Sequence, residues 1–148
     1  MMNKITAIVL LIIGVISVNT VAFATTSYPY RDVNPRTIDR ASIKSISFLK
    51  KEGAFKGVFS KKFHPNKTMT RRQFLMIIDN LYPGKVSVRM ADIRRANKPV
   101  TERYVTKKLV GVADKLDHPI EWDGGSKKLS RATVANYVVN FAKEMRRS

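Results

Sequence analysis

The chain has 148 residues, with 28 Lys and Arg against 11 Asp and Glu, a formal charge of +17 and no cysteine. Disulfide scaffolds, lipid-modified cysteines, cysteine metal sites and thiol nucleophiles are thereby excluded, which leaves stability to helix packing. The basic excess favours polyanionic partners: wall polymers, nucleic acid, acidic lipid or polysaccharide.

Read from the start, Met1-Met2-Asn3-Lys4 is a short positive region, Ile5 to Val18 is almost wholly apolar, and Val21-Ala22-Phe23-Ala24 ends in an A-x-A pattern. That order is the mark of a secretory signal peptide, residues 1–24, cleaved after Ala24. A spanning helix needs ~20 apolar residues, and this run is shorter and broken by Gly14 and Ser17. The expected destination is therefore outside the cytoplasm: periplasm, cell surface or medium. Cleavage leaves 124 residues and removes one charged side chain, Lys4, so that 27 basic and 11 acidic side chains give +16.

The remaining chain reads as two units, 25–87 and 88–148, each with two helices. In the first, Ile38, Ala41, Ile46 and Leu49 form an approximate helical stripe that ends at Gly53. Thr70-Arg71-Arg72-Gln73 is a capping box, and Phe74, Ile77, Ile78 and Leu81 then share one helical face. Pro83-Gly84 stops that helix. In the second unit, Pro99 precedes a helix carrying Val105, Leu109 and Val112. Ser130 caps another, with Val134, Tyr137, Val138, Phe141 and Met145, and Arg146-Arg147 at its end suit the helix dipole. A loop of about fifteen residues separates the helices of each unit, a length usually reserved for functional or self-packed segments.

A shift of sixty residues aligns the chain with itself. Asp32-Val33 falls on Asp92-Ile93, Leu49 on Leu109, Met69-Thr70-Arg71 on Leu129-Ser130-Arg131, and Phe74, Ile77, Ile78 and Leu81 on Val134, Tyr137, Val138 and Phe141. The fold predicted is all-α: two tandem helix-loop-helix repeats packed into one small bundle.

The first unit carries a specific set of elements. Tyr30-Arg31-Asp32-Val33 is an aromatic-x-Asp-Val start, Gly53-Ala54-Phe55-Lys56-Gly57 a Gly-x-x-x-Gly turn, Phe63-His64-Pro65-Asn66 a Phe-x-Pro-Asn element, and Thr70-Arg71-Arg72-Gln73-Phe74 a helix opening. In this order and spacing they resemble the S-layer homology domain family across about Tyr30 to Leu81. The second unit, about Met90 to Met145, is a degenerate copy that keeps Asp92-Ile93 and Ser130-Arg131. The resemblance implies a non-catalytic module that binds cell-wall glycans non-covalently, often polymers bearing negative pyruvyl groups. Such modules usually come as three units with grooves between neighbours. Two are read here, so a second copy or another such unit is a candidate for completing the bundle. The family's Trp near the first helix is absent from Arg36 to Ala41, and its Glu is replaced by Gln73.

An Arg one residue inside a helix start stands near free N–H groups and the positive dipole end, where an anion is attracted. Arg71 and Arg131 hold that position, with Lys67 and Arg72 adding charge, and Asp32 and Asp92 placed to orient the guanidinium groups. These six residues and Trp122, beside Asp123-Gly124-Gly125, are the expected ligand-binding set. Two alternatives run alongside: Arg71 pairs with Asp32 as a staple, and Trp122 plugs its loop onto the helices. His64 and His118 lack metal-ligand companions. No catalytic constellation, metal site or cofactor site is expected.

The function expected is attachment to an anionic cell-wall or envelope polymer. The alternative is a small cationic secreted factor gripping nucleic acid, acidic lipid or a partner protein on the same scaffold. Nucleic acid is less favoured, because most of the basic pairs, Lys50-Lys51 and Lys107-Lys108 among them, lack an aromatic neighbour of the kind that stacks bases.

Overall fold

The computed structural model describes residues 27–147; the signal-peptide reading lies outside them. Five helices follow in order: α1 Arg40–Lys51, α2 Arg71–Leu81, α3 Met90–Arg94, α4 Glu102–Lys115 and α5 Arg131–Met145. The fold is mainly helical, as the periodicity predicted.

Each long helix begins on a hydrogen-bonding cap. Asp39 Oδ2 accepts from Ser42 N, Thr101 Oγ1 from Tyr104 N and Ser130 Oγ from Thr133 N. At α2 the capping box is complete, with Gln73 N donating to Thr70 Oγ1 and Thr70 N to Gln73 Oε1. Each cap supplies an acceptor to an N–H that the helix cannot satisfy, an arrangement worth about 1 kcal/mol. Behind α1, Gly53 has φ +78°, a left-handed turn that only glycine adopts without strain.

One apolar core joins both halves of the chain. Phe74, Ile77 and Ile78 of α2, Val105, Leu109 and Val112 of α4, and Val134, Val138 and Phe141 of α5 belong to it, and all of these were placed on buried faces by spacing alone. The stripe on α1 differs. Its buried residues are Ser42, Ile46 and Leu49, whereas Ala41 is exposed and Ile38 lies ahead of the cap. Ser42 is buried because its Oγ accepts from Asn136 Nδ2 of α5 at 3.0 Å. The first loop packs on itself through Tyr30, Phe55, Phe59 and Phe63, whose rings meet at 4.7–6.2 Å between centroids. Such offset and edge contacts add to burial.

At the centre, three extended stretches form a closed ring. Met69 N donates to Leu129 O, Leu129 N to Val100 O, and Val100 N to Met69 O. The three side chains are buried, and each stands immediately before a helix cap: Thr70, Ser130 and Thr101. The starts of α2, α4 and α5 are thus arranged about a pseudo-threefold centre. The sixty-residue repeat pairs two of them; the third, at Val100-Thr101-Glu102, was not read from the sequence.

Candidate functional site

The ring decides what the helix starts can offer a ligand. The N–H groups of Arg71 and Arg72 donate to Lys98 O and Ala96 O, those of Arg131 and Ala132 to Lys67 O and Pro65 O, and those of Glu102 and Arg103 to Lys127 O and Gly125 O. The expectation of free amides at Arg71 and Arg131 is therefore corrected: a neighbouring segment already occupies them. Only the side chains remain as donors, since a buried N–H that has a carbonyl partner gains nothing from a second one.

The two arginines cross between the halves. The Arg131 guanidinium sits over the first loop, where Nη1 donates to Phe63 O at 2.8 Å and the group lies 4.9 Å from the centre of the Phe59 ring. Arg71 stands 4.4 Å over the ring of Tyr104, whose hydroxyl donates to Asp92 Oδ1 at 2.8 Å. The expected staple between Arg71 and Asp32 does not form, because each arginine is drawn to the aromatic and acidic side of the opposite half. The Nε atoms of both are buried and without a hydrogen-bond partner.

The two acids, expected to build one geometry twice, do different work. Asp32 follows the turn at Tyr30 and accepts from two successive amides, Phe63 N at 2.9 Å and His64 N at 2.8 Å. His64 takes φ +53° at this corner. Partial burial opposes ionisation of Asp32, but the amides of Phe63 and His64 outweigh it and lower its pKa. Asp92 lies inside α3 and is 5% exposed. It accepts from Arg89 N, Tyr104 Oη and Lys108 Nζ, the last at 2.6 Å. Burial again opposes its charge, but the Lys108 ammonium, the Arg89 amide and the Tyr104 hydroxyl bring its pKa down to about 2. Both carboxylates hold loops in place.

Around Arg131 opens a cavity of about 490 Å³, lined among others by Arg31, Phe59, Lys61, Lys62 and His64. Burial pulls the Arg131 pKa down and the charge of Asp32 works the other way; a guanidinium stays charged at any ordinary pH. The remaining expected residues lie elsewhere. Lys67 is exposed and outside this cavity, though its carbonyl holds Arg131 N. Arg72 is exposed at the rim of a separate groove beside α2. Trp122 is half-buried, edge-on to Phe141 at 6.0 Å, as a loop plug requires.

At the third position of the ring an acid replaces the arginine. Glu102 accepts from Gly125 N and from the Tyr137 hydroxyl, which closes that corner to an anion. A Cβ on Gly124 would stand 2.7 Å from Glu102 Cγ, so the loop is pressed against this side chain. No group of three or more His, Cys, Asp or Glu residues suited to a metal exists among the described residues. Sequence reading missed Phe59, Lys61 and Lys62, whose only signal was a basic pair beside an aromatic.

The turn at Tyr30-Asp32, the Gly53 corner, the Phe63-His64 corner and the Thr70 cap fall within residues 29–75, the stretch matched by the S-layer homology domain profile. Residues 29–75 are similar to the S-layer homology domain. No curated protein and no solved structure matches the chain. S-layer homology domains are binding modules of the cell envelope, and the match over residues 29–75 points to that class of function and to an association with the cell surface. Among the described residues no helix is long and apolar enough to cross a membrane.

Proposed function

We propose that this protein is an exported, non-catalytic module that attaches non-covalently to an anionic cell-wall or envelope polymer through the cavity beside Arg131. The observation that carries the reading is the placement of the Arg131 guanidinium. Its Nη1 is tied to Phe63 O, its face rests on Phe59, and it stands among Arg31, Lys61 and Lys62. A guanidinium already oriented in this way can meet a carboxylate or phosphate oxygen pair with its remaining N–H groups without losing further side-chain freedom. Both walls of the cavity belong to one chain, so this reading requires no second copy. Arg71, on Tyr104, is the analogous position in the other half and a second, weaker contact.

Co-sedimentation with purified wall sacculi, before and after extraction of their secondary polymers, tests the reading. Binding is expected to vanish with the polymer and to fall in Arg131→Ala and Arg131→Lys alike, while Arg72→Ala, outside the cavity, changes little. Equal losses from every basic residue removed would instead support a diffuse cationic factor. Export rests on the leader: mass spectrometry of the exported protein should give Thr25 as its first residue, and an intact Met1 would refute cleavage.

A further inference from the structure

Among the described residues four large apolar side chains are substantially exposed, and three of them lie within six positions: Val88 at 54%, Met90 at 64% and Ile93 at 60%. Met90 and Ile93 are three apart on α3 and share a face. Beside them runs a groove of about 620 Å³ between α2 and α3, lined by apolar residues such as Leu75, Val86, Val88 and Ile93 together with Arg72, Asp79 and Asp92. The same stretch carries Lys85, Arg89, Arg94, Arg95 and Lys98, and none of these five forms an ion pair among the described residues. The acids nearby are already engaged: Asp92 with Lys108, Tyr104 and the Arg89 amide, and Asp79 with Gly84 N.

We infer that this face docks on the surface of an anionic lipid bilayer, with Val88, Met90 and Ile93 entering the hydrocarbon boundary and the flanking cations meeting lipid phosphates. Exposed apolar side chains and cations are interspersed along Lys85-Val86-Ser87-Val88-Arg89-Met90 and Ile93-Arg94-Arg95, the mixed composition of an interfacial segment. A peptide laid in the groove would cover Val88 and Ile93 but leave Met90, the most exposed of the three, outside, because Met90 does not line it. A bilayer accommodates all three. The cavity at Arg131 shares no lining residue with this face, so the two activities are separable.

The test is flotation of the mature protein with vesicles of phosphatidylcholine alone and of equal parts phosphatidylcholine and phosphatidylglycerol. Binding is expected on the anionic vesicles only, weakened roughly tenfold in Ile93→Asp, the effect of losing one inserted apolar side chain. Arg94→Glu should weaken it as well, and Lys44→Glu, a control on α1, should leave it nearly unchanged. Met90→Trp should show fluorescence shifted to the blue on the same vesicles and quenched by brominated acyl chains. Ile93→Asp should keep its melting temperature and its sacculus binding, and Arg131→Ala should keep vesicle binding. The inference is overturned if the parent ignores anionic vesicles, if Ile93→Asp binds them as well as the parent, or if Lys44→Glu is as damaging as Arg94→Glu. Capture of an acidic peptide without vesicle binding overturns it too.

Discussion

Replacing Asp32 by Ala tests the joint on which the proposed cavity depends. The carboxylate accepts from Phe63 N and His64 N, and Phe63 O in turn receives Nη1 of Arg131. Hydrogen bonds to a charged group contribute about 1.5–3 kcal/mol each. The Asp32 side chain is 23% exposed, which moderates the charge effect, and water can reach the His64 amide but not the fully buried Phe63. The expected loss is about 2–4 kcal/mol, because one orphaned amide is buried and the other is rehydrated. Urea unfolding at neutral pH measures it. The acid limb gives a second reading. Asp32 is below its ordinary 3.8 in the folded protein, so its contribution is fully present above that value and is lost as pH falls through the folded pKa. Asp32→Ala should therefore show a shallower loss of stability below pH 3.8 than the parent. A variant within about 0.5 kcal/mol of the parent, with the same acid limb, would show that the aromatic cluster holds the loop without the carboxylate.

Arg131→Ala should lower stability by about 1–2 kcal/mol through the lost Phe63 bond and Phe59 contact, and lower polymer binding per folded molecule as well; unchanged binding would make the arginine a staple only. Asp92→Asn leaves Lys108, 13% exposed, without its carboxylate and should cost about 3 kcal/mol in a thermal melt at neutral pH. Because Asp92 titrates near 2 when folded, the parent should lose this contribution as pH falls from 3.8 towards 2 while Asp92→Asn does not. A fragment of residues 25–87 should melt without cooperativity, since Met69 N and O and the amides of Arg71 and Arg72 all lose partners beyond residue 87; a sharp two-state transition would show an independent domain.

What could be read in advance follows the range of the forces. Thr70 with Gln73, and the apolar faces of α2, α4 and α5, depend on neighbours three or four residues away, and the chain states them directly. The α1 face was misplaced because Asp39 was not recognised as its cap, which put Ile38 inside the helix; the burial of Ser42 depends on Asn136 of a distant helix. The five residues of α3 are too few to show a period. Duplicated spacing left open whether each arginine meets the acid of its own or of the neighbouring unit. The partner of Arg131 lies sixty-eight positions earlier, and no local pattern encodes that exchange. The third helix start was written as Val100-Thr101-Glu102, apolar, hydroxyl, charged, like Met69-Thr70-Arg71 and Leu129-Ser130-Arg131, and was obscured by its exchange of arginine for glutamate.

The ring of Met69, Val100 and Leu129 also orders events in time. A chain made from its N-terminus completes the aromatic loop around Tyr30, Phe55 and Phe63 early, from residues that are all in hand by position 63. The ring cannot close then. Its last donor and acceptor belong to Leu129, and α5 must follow to cover the core. Until those residues emerge, Met69 N and Val100 O lack their ring partners and the faces of α2 and α4 lack the cover of α5. The nascent protein thus completes its central ring only near the end of its synthesis, a delay that would keep the chain threadable if it is exported as proposed.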